Sequence, residues 1–570
     1  MQEWILDYLA GFRWEFFLAQ TVTVILLFLL GLFFIWLCLG KADLFLVLLA
    51  YPTGLSLYVI SGMLLLIGRL GLSVRHLAIV LLLFLVTAFA WRRFETHFIT
   101  ARIQRFVNPG QPFAHPVQTE DAPGQQKKGM GAGRLLFVAG IVLLVAVISC
   151  SGFLPISLSN DSMYYYSLYP RALATYGELR KQYNVFLTDV GLGSALIGTL
   201  PYFFGFNETF GIQWAFNIDF LIFYVYMIRR RTKSIYSVIF SFLLLVTAMP
   251  FFILSRWAMS NFYFMEYLFI CVLTAEELLS EEADEREQVP RNEGLGERIV
   301  LSVLTVALST LRMEGMVFVI FVVFAYAFPG GRREGSGSSG VLWIANLIVL
   351  PCILIHGLYF YRIFIQMEII AAYTFLSKGK AALELLVLVL LYVFLISKVK
   401  ITNVFKAAKT GQSGLVYRLI TDRDTTQLVW KMVLVMLTLV NLVLLFLDRA
   451  LYIENLKAFG RNLTHQSGWG VFPIVVLGAV VLILVCRLLN RRQDQTLLPA
   501  SESESTSKGP SPAMSYMEFI VLGYLLITLA VSFARGDPMQ ESFGDSGNRV
   551  LMQIAPLLVF ALSERVDEIL

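Results

Sequence analysis

Long apolar runs recur along the whole of this 570-residue chain, and they leave it few folds to adopt. "TVTVILLFLLGLFFIWLCLG", starting at Thr21, is one of them. A run of about 20 apolar residues is long enough to cross a hydrocarbon core of about 30 Å as a helix. In lipid every backbone N–H and C=O needs an internal partner, which only helices and closed barrels supply. Barrel strands alternate apolar and polar side chains, whereas these runs are continuous, so the chain reads as all-α and polytopic. Composition agrees. Only 15% of residues are charged and 57% are hydrophobic, against a charged share of about a quarter in soluble domains.

Charges, glycines and prolines bound predicted spans near 17 to 40, 43 to 67, 75 to 91, 135 to 157, 209 to 228, 234 to 254, 260 to 279, 341 to 361, 381 to 397, 429 to 447, 470 to 489, 515 to 534 and 549 to 563. Segment 299 to 328 is too long for one straight span and is interrupted by "STLRMEG", so two short helices are expected to meet at Arg312 to Gly315. The expected total is about 13 to 16 membrane helices. The N-terminus, "MQEWILDYLAGFRWEFF", has no basic n-region or small-residue cleavage site, so no cleavable signal peptide is expected.

Loops rich in Lys and Arg should face the cytoplasm. Those at 92 to 134, 229 to 233, 332 to 333, 397 to 409 and 487 to 492 then share one side, with the N-terminus outside and the C-terminus inside. That parity requires 188 to 205 not to cross fully. Three regions are expected: a three-span module with a cytoplasmic linker over 1–133, a membrane module over 134–330 with a first external loop at 157–187, and C-terminal helices over 331–570 with external loops at 448–469 and 535–548.

The cytoplasmic loops at 107 to 133, 280 to 298 and 493 to 514 are rich in Gly, Pro, Ser and charge, as solvated linkers are. They hold no GxxxxGK[ST] and no GxGxxG, which disfavours an ATP-driven pump or a nucleotide-sugar enzyme. The five cysteines show no CxxC spacing and the five histidines are scattered, so neither disulfides nor structural zinc are expected. A net charge of +5, dispersed among loops, argues for topology and against nucleic acid.

The opposite face collects charge. Outward segments carry Asp161, Arg171, Glu178, Arg180, Lys181 and Asp189, then Arg256, then Arg312 and Glu314, and later the 448–469 loop and Arg549. Acids and arginines at a membrane boundary suit a substrate that is part lipid and part polar anion. Each has a plainer reading: arginines at span ends snorkel to lipid phosphates, and Asn160, Asp161 or Ser162 could cap a helix beginning "MYYYSLYPRAL". The tyrosines at 164, 165, 166 and 169 suit an interfacial helix, rings in lipid and hydroxyls in water. A charged pair at a break between short helices, Arg312 with Glu314, is costly unless it faces a cavity or partner.

A span, an outward loop "D-x-x-x-Y…A…G" starting at Asp161, then "DVGLGSALIGTLPYFFGFNETFG" and a basic stop "RRR" resemble the first module of GT-C membrane glycosyltransferases of the protein O-mannosyltransferase and aminoarabinose transferase type. "STLRMEGMVFVIFVVF" is similar to the R-x-E-G helix break many of these proteins carry, and "GNRVLMQIAPLLVFAL" to their late arginine and apolar run. The likeness covers about residues 135 to 330 best. Many members place a second acid beside the first; here Ser162 follows Asp161, so either Glu178 or Asp189 takes that place or the second acid is absent.

The resemblance implies transfer of a sugar from a polyprenyl-phosphate donor to an acceptor outside the cytoplasm. Asp161 would be the general base for the acceptor hydroxyl. Arg256, Arg312 with Glu314, Arg549, Arg171 and Asp189 would serve the lipid phosphate, a guanidinium fork suiting bidentate phosphate contact. No cofactor or metal is assigned, although carboxylates beside phosphate oxygens suit Mg²⁺ or Mn²⁺. The expected partners are the lipid-linked donor, the bilayer and an acceptor of unread identity. The expected compartment is a plasma membrane of bacterial type with the site facing out. The rivals are a transporter or flippase of a lipid-linked or amphipathic solute, and a polysaccharide polymerase or ligase. A transporter calls for polar residues buried in mid-span and an inverted repeat; mid-span positions read as nearly charge-free, and no repeat stands out.

Overall fold

The structure, a computed structural model, describes residues 14–39, 44–73, 168–181, 191–203, 210–248, 250–251, 260–284, 295–312, 315–327, 342–369, 378–407, 423–464, 469–497, 515–534 and 546–568. Among the described residues every regular element is helical. Five helical stretches are long and apolar enough to cross a membrane: Thr21–Leu39, Ala50–Ile67, Ile344–Gln366, Lys378–Ser397 and Leu428–Leu447. The described residues are thus those of a helical membrane protein. The predicted spans at 75 to 91 and 135 to 157 lie outside the described residues.

Of the N-terminal helices one is packed deep in the described core and the other lies along it with an exposed apolar face. Helix α1 (Trp14–Leu39) crosses α3 (Ala50–Ile67), which follows the short α2 (Leu44–Leu48). At the crossing a Cβ on Gly31 would collide with Ala50 O, and one on Gly54 with Leu27 O. Glycine lets the two backbones touch, the way small residues bring membrane helices together where lipid offers no hydrophobic drive. Helix α3 is then surrounded. Its Tyr51 hydroxyl donates to Ile212 O (3.2 Å), its Ser56 hydroxyl to the Tyr267 oxygen (3.2 Å), and Tyr58 shares a 2.5 Å hydrogen bond with Thr199. These partners sit on α5 (Leu192–Phe203), which follows α4 (Tyr169–Tyr176), on α6 (Phe210–Arg231), which precedes α7 (Ile235–Thr247), and on α8 (Ser260–Asp284).

Aromatic rings fill the space between α6 and α8. Phe220 meets Phe269 edge-on at 5.4 Å, and Phe269 in turn meets Phe560 at 5.7 Å. Edge-to-face pairs of this kind exploit the ring quadrupole beyond their buried area. Helices α9 (Leu295–Leu311) and α10 (Gly315–Ala327) flank this core, and the break expected at Arg312 to Gly315 falls between them. Of segment 188 to 205 the structure describes residues 191–203, which hold α5. Its twelve residues span about 18 Å, short of a hydrocarbon core.

A continuous helix follows, α11 (Leu350–Phe360) widened at each end by π turns over Ile344–Val349 and Tyr361–Gln366. Helices α12 (Lys378–Ala407) and α13 (Arg423–Leu447) present exposed apolar faces, with Leu390 at 58% and Phe446 at 85% exposure. Such faces belong against lipid tails. Next come α14 (Arg449–Thr464), α15 (Phe472–Leu497), α16 (Tyr516–Ala534), α17 (Ser546–Met552) and α18 (Ala555–Asp567).

One end of the core is locked by ions. Arg231, at the end of α6, is paired with Glu276, Glu277 (3.1 Å) and Glu564 (3.4 Å), and Arg230 with Glu277 (3.1 Å). Arg565 grips both carboxylate oxygens of Glu518, at 2.9 and 3.0 Å. Glu518 also accepts from Ser515 N (2.7 Å) while the Ser515 hydroxyl accepts from Glu518 N (3.1 Å), a capping box that starts α16. Asp567 accepts from the backbone N–H groups of Lys233 and Ser234, both at 2.8 Å, and so covers the start of α7.

Candidate functional site

At the other end of α8, about 25 Å from the Glu277 contacts by helix rise, three helix N-termini gather around Arg312. Its guanidinium donates to the Ser260 hydroxyl at 2.7 Å, and Ser260 opens α8. The Arg312 carbonyl accepts from Gly315 N at 2.9 Å, and Gly315 opens α10. Gly191, immediately before α5, lies so close that a Cβ there would stand 2.8 Å from Arg312 Cα and 2.7 Å from Leu311 O. Its φ of +98° is one that L side chains rarely adopt, so this approach depends on glycine twice over. The "DVGLGS" and "STLRMEG" motifs, far apart in sequence, therefore touch.

Arg549 comes to the same neighbourhood by way of α17. Gln553, one helical turn beyond it, donates to Asn261 Oδ1 at 2.7 Å, and Tyr524 of α16 donates to Gln553 Oε1 (2.6 Å) and Val550 O (3.0 Å). Asn261 is next to Ser260. Two arginines thus belong to one end of the bundle, where the N-termini of α5, α8 and α10, each suited to an anion, meet the C-terminal carbonyl end of α9. Sequence reasoning missed Ser260, Asn261, Gln553 and Tyr524, whose residue types carry no signal until the helices are placed side by side.

Of the other expected site residues, Arg171 is exposed on α4. Glu178 pairs with Arg180 at 3.0 Å, and the Arg180 guanidinium lies 3.6 Å from the Tyr176 ring centre. Asp161, Asp189, Arg256 and Glu314 lie outside the described residues. Tyr169 departs from its expected interfacial place: it is fully buried, and α4 turns its Tyr169, Pro170 and Leu173 face into the protein. The helix is anchored there by Gly177, which caps it in a left-handed conformation and accepts from Leu72 N at 2.7 Å.

A second polar cluster overturns the expectation of charge-free mid-span positions. Glu266 and Asp219 fall inside the predicted spans at 260 to 279 and 209 to 228. Glu266 is 0% exposed, and neither of its carboxylate oxygens has a hydrogen-bond partner; the same holds for Asp219 Oδ2. The two carboxylates interact electrostatically with each other and with Tyr51. No group of three or more His, Cys, Asp or Glu suited to a metal ion occurs among the described residues.

Fold and site together define the class, a helical membrane protein with an arginine-lined, helix-N-terminal site at one end of its bundle. No protein-family model matches the chain, and no curated protein matches it. Among solved structures it is similar to the archaeal oligosaccharyltransferase AglB from Archaeoglobus fulgidus, determined in complex with an inhibitory peptide and a dolichol-phosphate. The likeness has 12% sequence identity and a TM-score of 0.41, and it covers 76% of this chain and 50% of that one. The chain thus spans about half the length of this neighbour.

Proposed function

We propose that the chain is a GT-C-type membrane glycosyltransferase that moves a sugar from a polyprenyl-phosphate donor to an acceptor on the extracytoplasmic side. The observation that carries this reading is the gathering of three helix N-termini around Arg312, with Arg549 on the adjoining α17. Donor phosphate is the leaving group, and preorganised positive charge aimed at the developing anion lowers the barrier for its departure. Arg312 and Arg549 are the phosphate-holding groups. Asp161 is the general base that takes the acceptor's hydroxyl proton, by its position in the motif of the first outer loop. The lipid tail would lie against the apolar helices, which suits a site at the end of a bundle.

Membranes carrying the chain test this with a radiolabelled polyprenyl-phosphate sugar pool and matched expression. Wild type should transfer label, Asp161→Asn should not, and Arg312→Ala should lose about 100-fold in rate. Equal transfer by wild type and Asp161→Asn would remove Asp161 as the base. No transfer from any donor would favour the second reading, a transporter of a lipid-linked or amphipathic solute. That reading draws on one specific observation, the carboxylates Glu266 and Asp219 inside the predicted spans, since intramembrane acids often mark ion or proton routes.

A further inference from the structure

We infer that Glu266 and Asp219 form a binding site for one monovalent metal cation, such as sodium, inside the helical bundle. Glu266 is wholly buried with both oxygens unpartnered, and Asp219 Oδ2 is buried without a partner on α6, which packs against α8 through Phe216 on Tyr263 and Tyr267. A buried carboxylate is normally paired or hydrogen-bonded, because its desolvation is otherwise uncompensated. Glu266 is such a carboxylate, and the half-buried Asp219 adds one buried oxygen that has no partner.

The neighbouring phenols do not resolve this. Tyr51 already donates its hydroxyl proton to Ile212 O (3.2 Å), and Tyr267 donates to Pro52 O (2.9 Å). Both present oxygen lone pairs, as carboxylates do. Ser56 likewise directs its hydroxyl toward Tyr267 and Pro52 O. Tyr263 and Tyr51 interact electrostatically with Glu266, and among the described residues no cation acts on Glu266 or Asp219. What these described groups do not supply is positive charge.

The donors are all hard oxygens, which select alkali or alkaline-earth ions over softer metals. With one proton shared between them, the two carboxyls carry a single negative charge, which one monovalent ion balances; a divalent ion would call for a larger and more highly charged oxygen shell, and no third acidic or imidazole ligand stands beside them among the described residues. Aromatic rings wall the site: Phe216 lies 5.9 Å from Tyr51, 5.9 Å from Tyr263 and 5.1 Å from Tyr267. The packing suits an ion and not an organic solute. By helix rise the site lies about 9 Å along α8 from Ser260, so it is separate from the Arg312 cluster.

The assignment does not rest on the transferase reading, because its test needs no substrate. Full-length protein in detergent is unfolded by heat in sodium, potassium or choline chloride at matched ionic strength. The midpoint should rise saturably with sodium or potassium and not with choline, since an ion that binds only the native state stabilises it. Glu266→Gln and Asp219→Asn should abolish that rise. A second readout uses wild type alone: modification of Glu266 by a hydrophobic carbodiimide, followed by mass spectrometry, should slow about tenfold when the ion is at ten times its dissociation constant. Identical midpoints in all three salts with unprotected Glu266 would overturn the site and leave two neutral acids. A sodium response that survives intact in Glu266→Gln would place the ion elsewhere and overturn it equally.

Discussion

Gly191 shows how one residue sets the geometry of the candidate site. Its positive φ and its contact with the backbone of Leu311 and Arg312 leave no room for a side chain. The nearest atoms are backbone, which cannot rotate away. Gly191→Ala should therefore cost about 1–3 kcal/mol, seen as a lower unfolding midpoint, and should displace α5 from Arg312. If transfer activity is present, it should fall more than stability alone explains. An alanine variant with unchanged midpoint and activity would show that the approach tolerates a methyl group. Ser260 and Asn261 matter in a different way: each fixes a neighbour, Arg312 in one case and Gln553 in the other.

Among the elements, the α1–α3 crossing governs how the N-terminal region joins the rest. Helix α3 has almost no polar side, is buried over most of its surface, and is tied to its neighbours through Tyr51, Ser56 and Tyr58. Its contact with α1 is backbone against backbone at Gly31 and Gly54. Gly31→Val should force the helices apart and cost on the order of 3 kcal/mol or more by overpacking. The expected readout is loss of the monodisperse peak in size-exclusion chromatography of the detergent-solubilised protein. A Gly31→Val variant that elutes and melts as wild type would argue that α1 packs elsewhere. At the far end of the bundle α7 depends on its cap, the Ser234 oxygen accepting from Tyr236 N (3.2 Å) and Asp567 covering the preceding N–H groups.

For the molecule as a whole, the ionic end contact makes stability depend on pH. Glu564 lies just beyond the predicted span at 549 to 563. Burial pushes its carboxyl up to about 7, with Arg231 pulling it down and Glu276 pushing it up. A carboxyl raised in the folded state favours folding fully below its unfolded value, and that contribution is lost as pH rises through the folded value. Wild type should therefore lose stability relative to Glu564→Gln between the ordinary glutamate value of 4.5 and about 7, by ~3 kcal/mol, in melts run across that window. Asp567 works in the other direction. Desolvation acts to raise its pKa, but the N–H groups of Lys233 and Ser234 and the Ser237 hydroxyl outweigh it and hold the pKa below the usual value. Its contribution is present above the unfolded value and lost as pH falls through the folded one. Parallel curves for wild type and Glu564→Gln would mean that Glu564 titrates normally. The sequence alone determined the helical membrane class of the described residues and the break at Arg312 to Gly315, because apolar run length and charge position are local properties. Tertiary structure alone decided that Gly191 meets Arg312, that Ser260 and Asn261 join the site, and that Asp219 and Glu266 share one cluster. Helices that are apolar on every face carry no periodic mark of which side meets a neighbour and which meets lipid, so only their packing could show which residues come together.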